Sequence, residues 1–202
     1  MPRGDVLIHG GDVTWRGELD IFRDFNEWCG VQKSTNGFQH VVVIGGNHDF
    51  TLEKPGKPAL AALTHCTYLE DSGVTIGGVR FWGSPWSLKF LDWAFMREDE
   101  ELAPTWARIP ADTDVLLTHG PPKGILDWVP RDENVGSVTL LSRIEQIRTP
   151  VHIFGHIHEG YGIQTRGPTT FLNASSCDES YELANAPIVF DFDPATRKVT
   201  IV

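Results

Sequence analysis

The sequence predicts a mixed α/β domain with a two-sheet core and helices packed outside it. Three observations carry this. The front of the chain alternates short β-branched runs with stretches of helical periodicity, while the tail is mostly β. Four of the apolar runs stop abruptly at polar residues: Asp12; Asn47, His48 and Asp49; His119; and His156 with His158. A length of 202 residues suits one domain, 1–202, able to bury a sizeable core.

Taken in order, the first strand is expected at 5–9 and runs straight into Gly10-Gly11-Asp12. A helix follows over 18–30, with Leu19, Phe22, Phe25 and Trp28 as its apolar stripe and Gly30 as its stop. The stretch 41–49, VVVIGGNHD, organises the rest. Its four β-branched residues read as a strand buried on both faces. Gly45 and Gly46 then allow a sharp turn or a close approach. Asn47, His48 and Asp49 follow at the carboxyl end of that strand, where open α/β sheets bind ligands.

A short helix opened by proline is expected at 58–63, and short strands at 67–69, 74–76 and 79–82. The stretch 92–108 reads as partly helical, ended by Pro110. The strand-then-polar pattern then recurs. Val115-Leu116-Leu117 leads to His119, and 151–154 leads to Gly155-His156-Ile157-His158. Between them, 137–148 reads as an amphipathic helix capped by Ser137, with Leu140, Leu141, Ile144 and Ile147 inward. The tail offers strands at 161–165, 170–173, 187–193 and 198–202.

Composition narrows the function. Hydrophobic residues make up 41% and charged residues 22%, as in ordinary soluble domains. A net charge of -10 is a poor match for duplex nucleic acid or an anionic membrane. No apolar run is long enough for a transmembrane helix, and the opening MPRGDV lacks the apolar segment expected of a secretory signal. Three widely spaced cysteines indicate neither a disulfide framework nor a thiolate zinc site, and a cytoplasmic location fits best.

If the four strands neighbour one another in one sheet, their polar ends converge. Carboxylate, amide oxygen and imidazole suit a divalent ion: Mn, Fe, Zn, Ni or Mg. His9, His40, His65 and His152 read instead as ordinary packed or surface residues. Trp82, Trp86 and Trp128 near these loops could stack a base or simply pack the loops, so they receive no substrate role.

Gly11-Asp12 with Gly17, GNHD at 46–49, the single His119 and GHIH at 155–158 form a set, in this order, that resembles the calcineurin-like metallophosphoesterases. THGPPKGILDWVPR at 118–131, GSPWS at 83–87 and GHIHEGYG at 155–162 resemble the metallophosphoesterase-domain-containing subfamily of animals and fungi. The resemblance implies a four-layer α/β/β/α sandwich with two mixed β-sheets. It implies a dinuclear site, with manganese favoured, that hydrolyses small phosphoesters, cyclic nucleotides included. On this basis Asp12 would bridge two ions. Asn47, His119 and His156 would hold the second ion and His158 the first. His48 would contact the phosphate and stabilise or protonate the leaving group, with Asp49 orienting it. Two ions about 3.5–4 Å apart activate water and neutralise phosphoryl oxygens.

The family opens with a strand ending in Asp-x-His, which supplies two ligands to the first ion, and this sequence has no such motif. The expectation is therefore an N-terminally truncated domain whose first strand is missing, with an open sheet edge. It would hold one ion tightly and a second weakly or not at all. The alternative is a metal-impaired relative that binds a nucleotide or a protein partner without turnover.

Overall fold

The computed structural model of the protein describes residues 1–131 and 133–202. In chain order the elements are β1 (Val6–His9), α1 (Leu19–Thr35), β2 (His40–Val43), α2 (Phe50–Glu53) and β3 (Thr67–Tyr68). The hairpin β4 (Ser72–Ile76) and β5 (Val79–Ser84) follows, then β6 (Ser87–Leu88), β7 (Met96–Arg97) and α3 (Asp99–Ala107). Next come β8 (Val115–Thr118), β9 (Trp128–Val129), β10 (Glu133–Asn134), α4 (Val138–Ile147) and β11 (Val151–Phe154). The hairpins β12 (Gly162–Arg166) with β13 (Thr169–Asn173), and β14 (Phe190–Asp193) with β15 (Lys198–Ile201), complete the chain.

Two sheets face each other. The first has the order β1-β2-β3, all parallel. The second is mixed, with the order β12-β13-β11-β8-β5-β4. Its four inner strands are parallel and its two outer strands are the antiparallel arms of hairpins. Side chains alternate across each strand, so each sheet has two apolar faces to cover. Val42, Ile44 and Leu69 meet Val115, Leu117 and Ile153 between the sheets, and Phe190, Phe192 and Val199 pack against the same core. On the outer face of the first sheet, Leu7, Val41 and Val43 pack with Cys29 of α1. On the outer face of the second, Leu116, Phe154 and Phe171 pack under Leu102 and Trp106 of α3 and Leu140, Ile144 and Ile147 of α4. The result is the expected α/β/β/α stack.

Several local expectations shift. Helix α1 does not stop at Gly30 but runs to Thr35. The glycine is there for proximity, because a Cβ at Gly30 would sit 3.2 Å from the His65 ring. The buried line of α1 is Phe22, Asn26, Cys29 and Gln32, one step round from the aromatic stripe. A polar residue can join that line because the Asn26 amide bonds the backbone of Thr64 and His65. In the 92–108 stretch only Asp99–Ala107 is helical. At 58–63 the turn is a short 3-10 segment, Leu60–Ala62. Helix α4 is as expected, with the Ser137 hydroxyl accepting from the Leu140 N–H at 2.9 Å.

Candidate metal centre

The four polar strand ends do converge, although not from one sheet. β1 and β2 of the first sheet deliver Asp12 and Asn47, while β8 and β11 of the second deliver His119 and His156. Both pairs are parallel, so all four carboxyl ends open onto the same edge of the stack.

Asp12, His119 and His156 place one ligand atom each within 4.8 Å of one another. Asn47 Oδ1 lies 2.8 Å from His119 Nε2 and 2.8 Å from His156 Nδ1. His119 Nε2 lies 3.2 Å from Asp12 Oδ2. The other ring nitrogen, His119 Nδ1, donates to the Gly10 carbonyl at 2.8 Å, which directs the Nε2 lone pair at the two oxygens. Oxygens and nitrogen lone pairs pointing at one another repel unless a positive charge sits among them. The residues therefore fit a divalent cation.

The electrostatics agree. Burial works against the Asp12 carboxylate, yet His119 and the His48 N–H hold it below the ordinary carboxylate range. Burial also works against a charged His119, but Asp12 outweighs it, so His119 keeps a proton more readily than a free imidazole. A cation would take that proton's place. Burial, then His119, pushes His156 down to about 3, leaving a neutral imidazole ready to ligate.

The backbone approaches as closely as the chemistry demands. A Cβ on Gly46 would lie 2.3 Å from Asp12 Oδ1 and 2.7 Å from His119 Cε1, so only glycine fits there. Asp12 and His156 themselves sit at φ 57° and 66°, a left-handed conformation unusual for residues with side chains. Such strain clusters at functional sites.

His48 is placed beside the cluster, its ring between Trp15 and Trp93 at centroid distances of 4.8 and 4.5 Å. Its Nδ1 lies 2.9 Å from the Trp15 carbonyl. Asp49 does not orient this ring as the resemblance implied. Its fully buried carboxylate instead accepts from the backbone of Val13, Thr14 and Gly46 and from the Thr14 hydroxyl. The distance from strand end to imidazole is taken up by the turn, so Asp49 points back under the loops and ties them together. His158 stands apart from the three-residue cluster. Its Nδ1 lies 2.8 Å from the Asp178 carbonyl, and Tyr181 packs edge-on against its ring at 5.2 Å. It lines the same cavity as Asp12, Asn47, His48 and His156.

Sequence reasoning missed Trp15, Trp93 and Tyr181, which surround His48 and His158. The position of Trp15 between Asp12 and Gly17 was the available signal for the first; nothing local pointed to the other two. Of the tryptophans singled out, Trp86 lines the cavity and Trp82 packs against the core. His152 is indeed an ordinary core residue, fully buried beside Phe154 and Phe171.

Residues 2–160 match the calcineurin-like phosphoesterase family. The chain belongs to this family. Human metallophosphoesterase domain-containing protein 1 is 41% identical over 217 residues, covering 95% of this chain and 65% of the relative. A UPF0046 protein of Caenorhabditis elegans is 35% identical, covering all of this chain and 58% of its own length. The chain thus spans about two thirds or less of these curated relatives. Among solved structures, TT1561 of Thermus thermophilus superposes with a TM-score of 0.63 at 11% identity, covering 98% of this chain and 86% of that one, a likeness of fold. The family uses divalent metals, in keeping with the donor set above. No helix among the described residues is long and apolar enough to cross a membrane.

Proposed function

We propose that this protein hydrolyses small phosphodiesters at the Asp12–Asn47–His119–His156 centre, with His48 serving the leaving group. The observation that carries the reading is the convergence of a carboxylate, an amide oxygen and two imidazoles, with His48 held at the same cavity. A divalent ion bound there supplies Lewis acidity, lowering the pKa of water and offsetting phosphoryl charge. Manganese is the metal we favour. In this reading Asp12, Asn47, His119 and His156 would hold one ion, and His158 stands outside that cluster, so a second ion would be held more weakly.

The chain's own groups then divide the work. Asp12, Asn47, His119 and His156 would hold the ion, which would supply positive charge against the phosphoryl oxygens. The Trp15 carbonyl accepts from His48 Nδ1, which leaves Nε2 as the ring atom for the leaving group. A proton carried on Nε2 passes to the departing ester oxygen, and His48 is left neutral with Nδ1–H still bound to the carbonyl. Trp15 and Trp93 hold the ring plane during that transfer. Asp49 keeps the Asp12 and Asn47 loops in register. Nucleotide diesters are one candidate class, and a cytoplasmic setting suits the free cysteines.

The test is hydrolysis of bis-4-nitrophenyl phosphate and of a cyclic nucleotide by purified protein with added Mn²⁺, against protein stripped by chelator. Metal-dependent turnover of either supports the reading. Absence of turnover at full metal occupancy would instead favour a metal-bound binding protein.

A further inference from the structure

Two of the three groups around the His48 ring belong to Trp15: its carbonyl at Nδ1 and its indole. Trp15 is 54% exposed, so core packing does not fix it. Its turn is tied at both ends. Thr14 bonds Asp49 through its N–H and its hydroxyl, and the Gly17 N–H donates to the Thr14 hydroxyl at 2.9 Å. The Gly17 carbonyl accepts from the Thr51 hydroxyl at 2.9 Å. Between these ties Trp15 and Arg16 are exposed, and both of their N–H groups go to one oxygen of Glu18. Oε2 accepts from Trp15 at 3.1 Å and from Arg16 at 2.8 Å.

The second of these bonds bears directly on His48. A peptide group is planar, and the Arg16 N–H shares its plane with the Trp15 carbonyl and points the opposite way. One rigid amide therefore runs from Glu18 to His48, with the carboxylate on its N–H and imidazole Nδ1 on its C=O. A negative charge on the N–H side polarises the amide and strengthens its carbonyl as an acceptor. The Arg16 N–H, foremost among the backbone donors, holds the Glu18 carboxyl below the ordinary carboxylate range, so that charge is present at neutral pH. The turn also reaches the second indole. The Arg16 guanidinium lies 4.9 Å over Trp93, whose ring stands 4.5 Å from His48.

We propose that Glu18 is a positioning residue for the leaving-group step: acting through the Trp15–Arg16 peptide group, it sets the orientation and tautomer of His48. This rests on the reading of His48 above. Asp49, the carboxylate next to His48 in sequence, is engaged with the loops beneath. The orienting role that adjacency suggested for it falls to a carboxylate one peptide group away from the ring. Glu18 touches neither the ion's ligands nor the cleft, so its effect passes through His48 alone.

The experiment compares Glu18→Ala, Glu18→Gln and His48→Ala with the parent, each loaded with Mn²⁺, on methyl phenyl phosphate and methyl 4-nitrophenyl phosphate. Phenolate needs a proton on departure more than 4-nitrophenolate does. Glu18→Ala should lower kcat about tenfold on the phenyl ester and by less than about twofold on the nitrophenyl ester, with KM and Mn²⁺ affinity unchanged. Glu18→Gln keeps an acceptor oxygen for the two N–H groups and should recover most of the loss. A second readout needs no turnover. In Zn²⁺-loaded protein, imidazole nitrogen NMR should find the neutral His48 ring protonated at Nδ1 in the parent and shared between both nitrogens in Glu18→Ala. If His48→Ala separates the two esters and Glu18→Ala does not, or if Glu18→Gln is as impaired as Glu18→Ala, the positioning role is overturned and the reading of His48 stands. If His48→Ala itself fails to separate them, that reading falls. The NMR then decides Glu18 by itself, and an unchanged tautomer in Glu18→Ala refutes the proposal.

Discussion

Replacing Asp49 by alanine removes the acceptor that joins the two loops of the metal centre. One carboxylate oxygen accepts from the Thr14 N–H at 3.0 Å and the Thr14 hydroxyl at 2.9 Å. The other accepts from the Gly46 N–H at 2.9 Å and the Val13 N–H at 3.3 Å. Burial, then the nearby Asp12 charge, pushes the Asp49 carboxyl up to about 6, and these donors oppose that rise. Alanine would strand the donors beneath the loops. Each lost hydrogen bond to a charged group costs about 1.5–3 kcal/mol. Relief of the carboxylate's own desolvation offsets part of this, and breaking a buried charged network typically nets about 3–5 kcal/mol. At about 2–4 °C per kcal/mol for a chain of this size, Tm should fall by roughly 10 °C. Asp12 and Asn47 ride on the freed loops, so Mn²⁺ affinity should drop about 10–100-fold, as for other groups that support metal ligands. Thermal unfolding in chelator and metal titration by calorimetry measure the two effects separately. If Asp49→Ala melts within about 2 °C of the parent, binds Mn²⁺ normally and yet loses turnover, then Asp49 acts on His48 or on the reaction, and the structural account is wrong.

Other outcomes follow from the same geometry. Gly46→Ala should abolish tight Mn²⁺ binding, because its Cβ would lie 2.3 Å from Asp12 Oδ1; metal analysis showing one firmly held ion would contradict this. His48→Ala should lower kcat by about 10²-fold or more on an alkyl leaving group, and much less on nitrophenolate, which needs little protonation. Its metal content should not change, and equal losses on both substrates would assign His48 another role. His152 is pushed down to about 3 by burial, whereas the unfolded chain protonates near 6.5. Its contribution to stability is therefore complete above about pH 6.5 and is lost as pH falls toward 3. That amounts to roughly 2 kcal/mol between pH 7 and pH 5. His9, pushed down to about 4 chiefly by burial, adds to the same slope. Denaturant melts of His152→Phe should show a shallower decline than the parent between those pH values, and an unchanged slope would count against this.

The strands and their polar ends were legible because they are local statements. A run such as Val41-Val42-Val43-Ile44 declares a buried strand, and Gly46-Asn47-His48 declares what stands at its end. Which strands lie side by side is not a local statement. β1 pairs with β2, and β8 with β5 and β11, in two separate sheets. Sequence periodicity treats all four strands alike, since each is covered on both faces. The stop assigned at Gly30 failed for a related reason. Glycine ends helices often, but here it admits the ring of His65, and no reading of α1 alone contains that neighbour.

The site residues were legible in identity and less so in role. Asp49 follows His48 directly, and adjacency suggested a pair, but successive side chains leave a turn in different directions. The carboxylate turns instead to the N–H groups of Val13, Thr14 and Gly46, which donate to it. Fixing the imidazole then falls to the Trp15 carbonyl and to the indoles of Trp15 and Trp93, which come from loops 33 and 45 residues away in the chain. The division has a physical logic. A carboxylate set against His48 would bind the ring N–H more strongly than a carbonyl does. A neutral carbonyl and two ring faces hold the imidazole in place without a negative charge beside it, which is what the proposed role at the leaving oxygen requires.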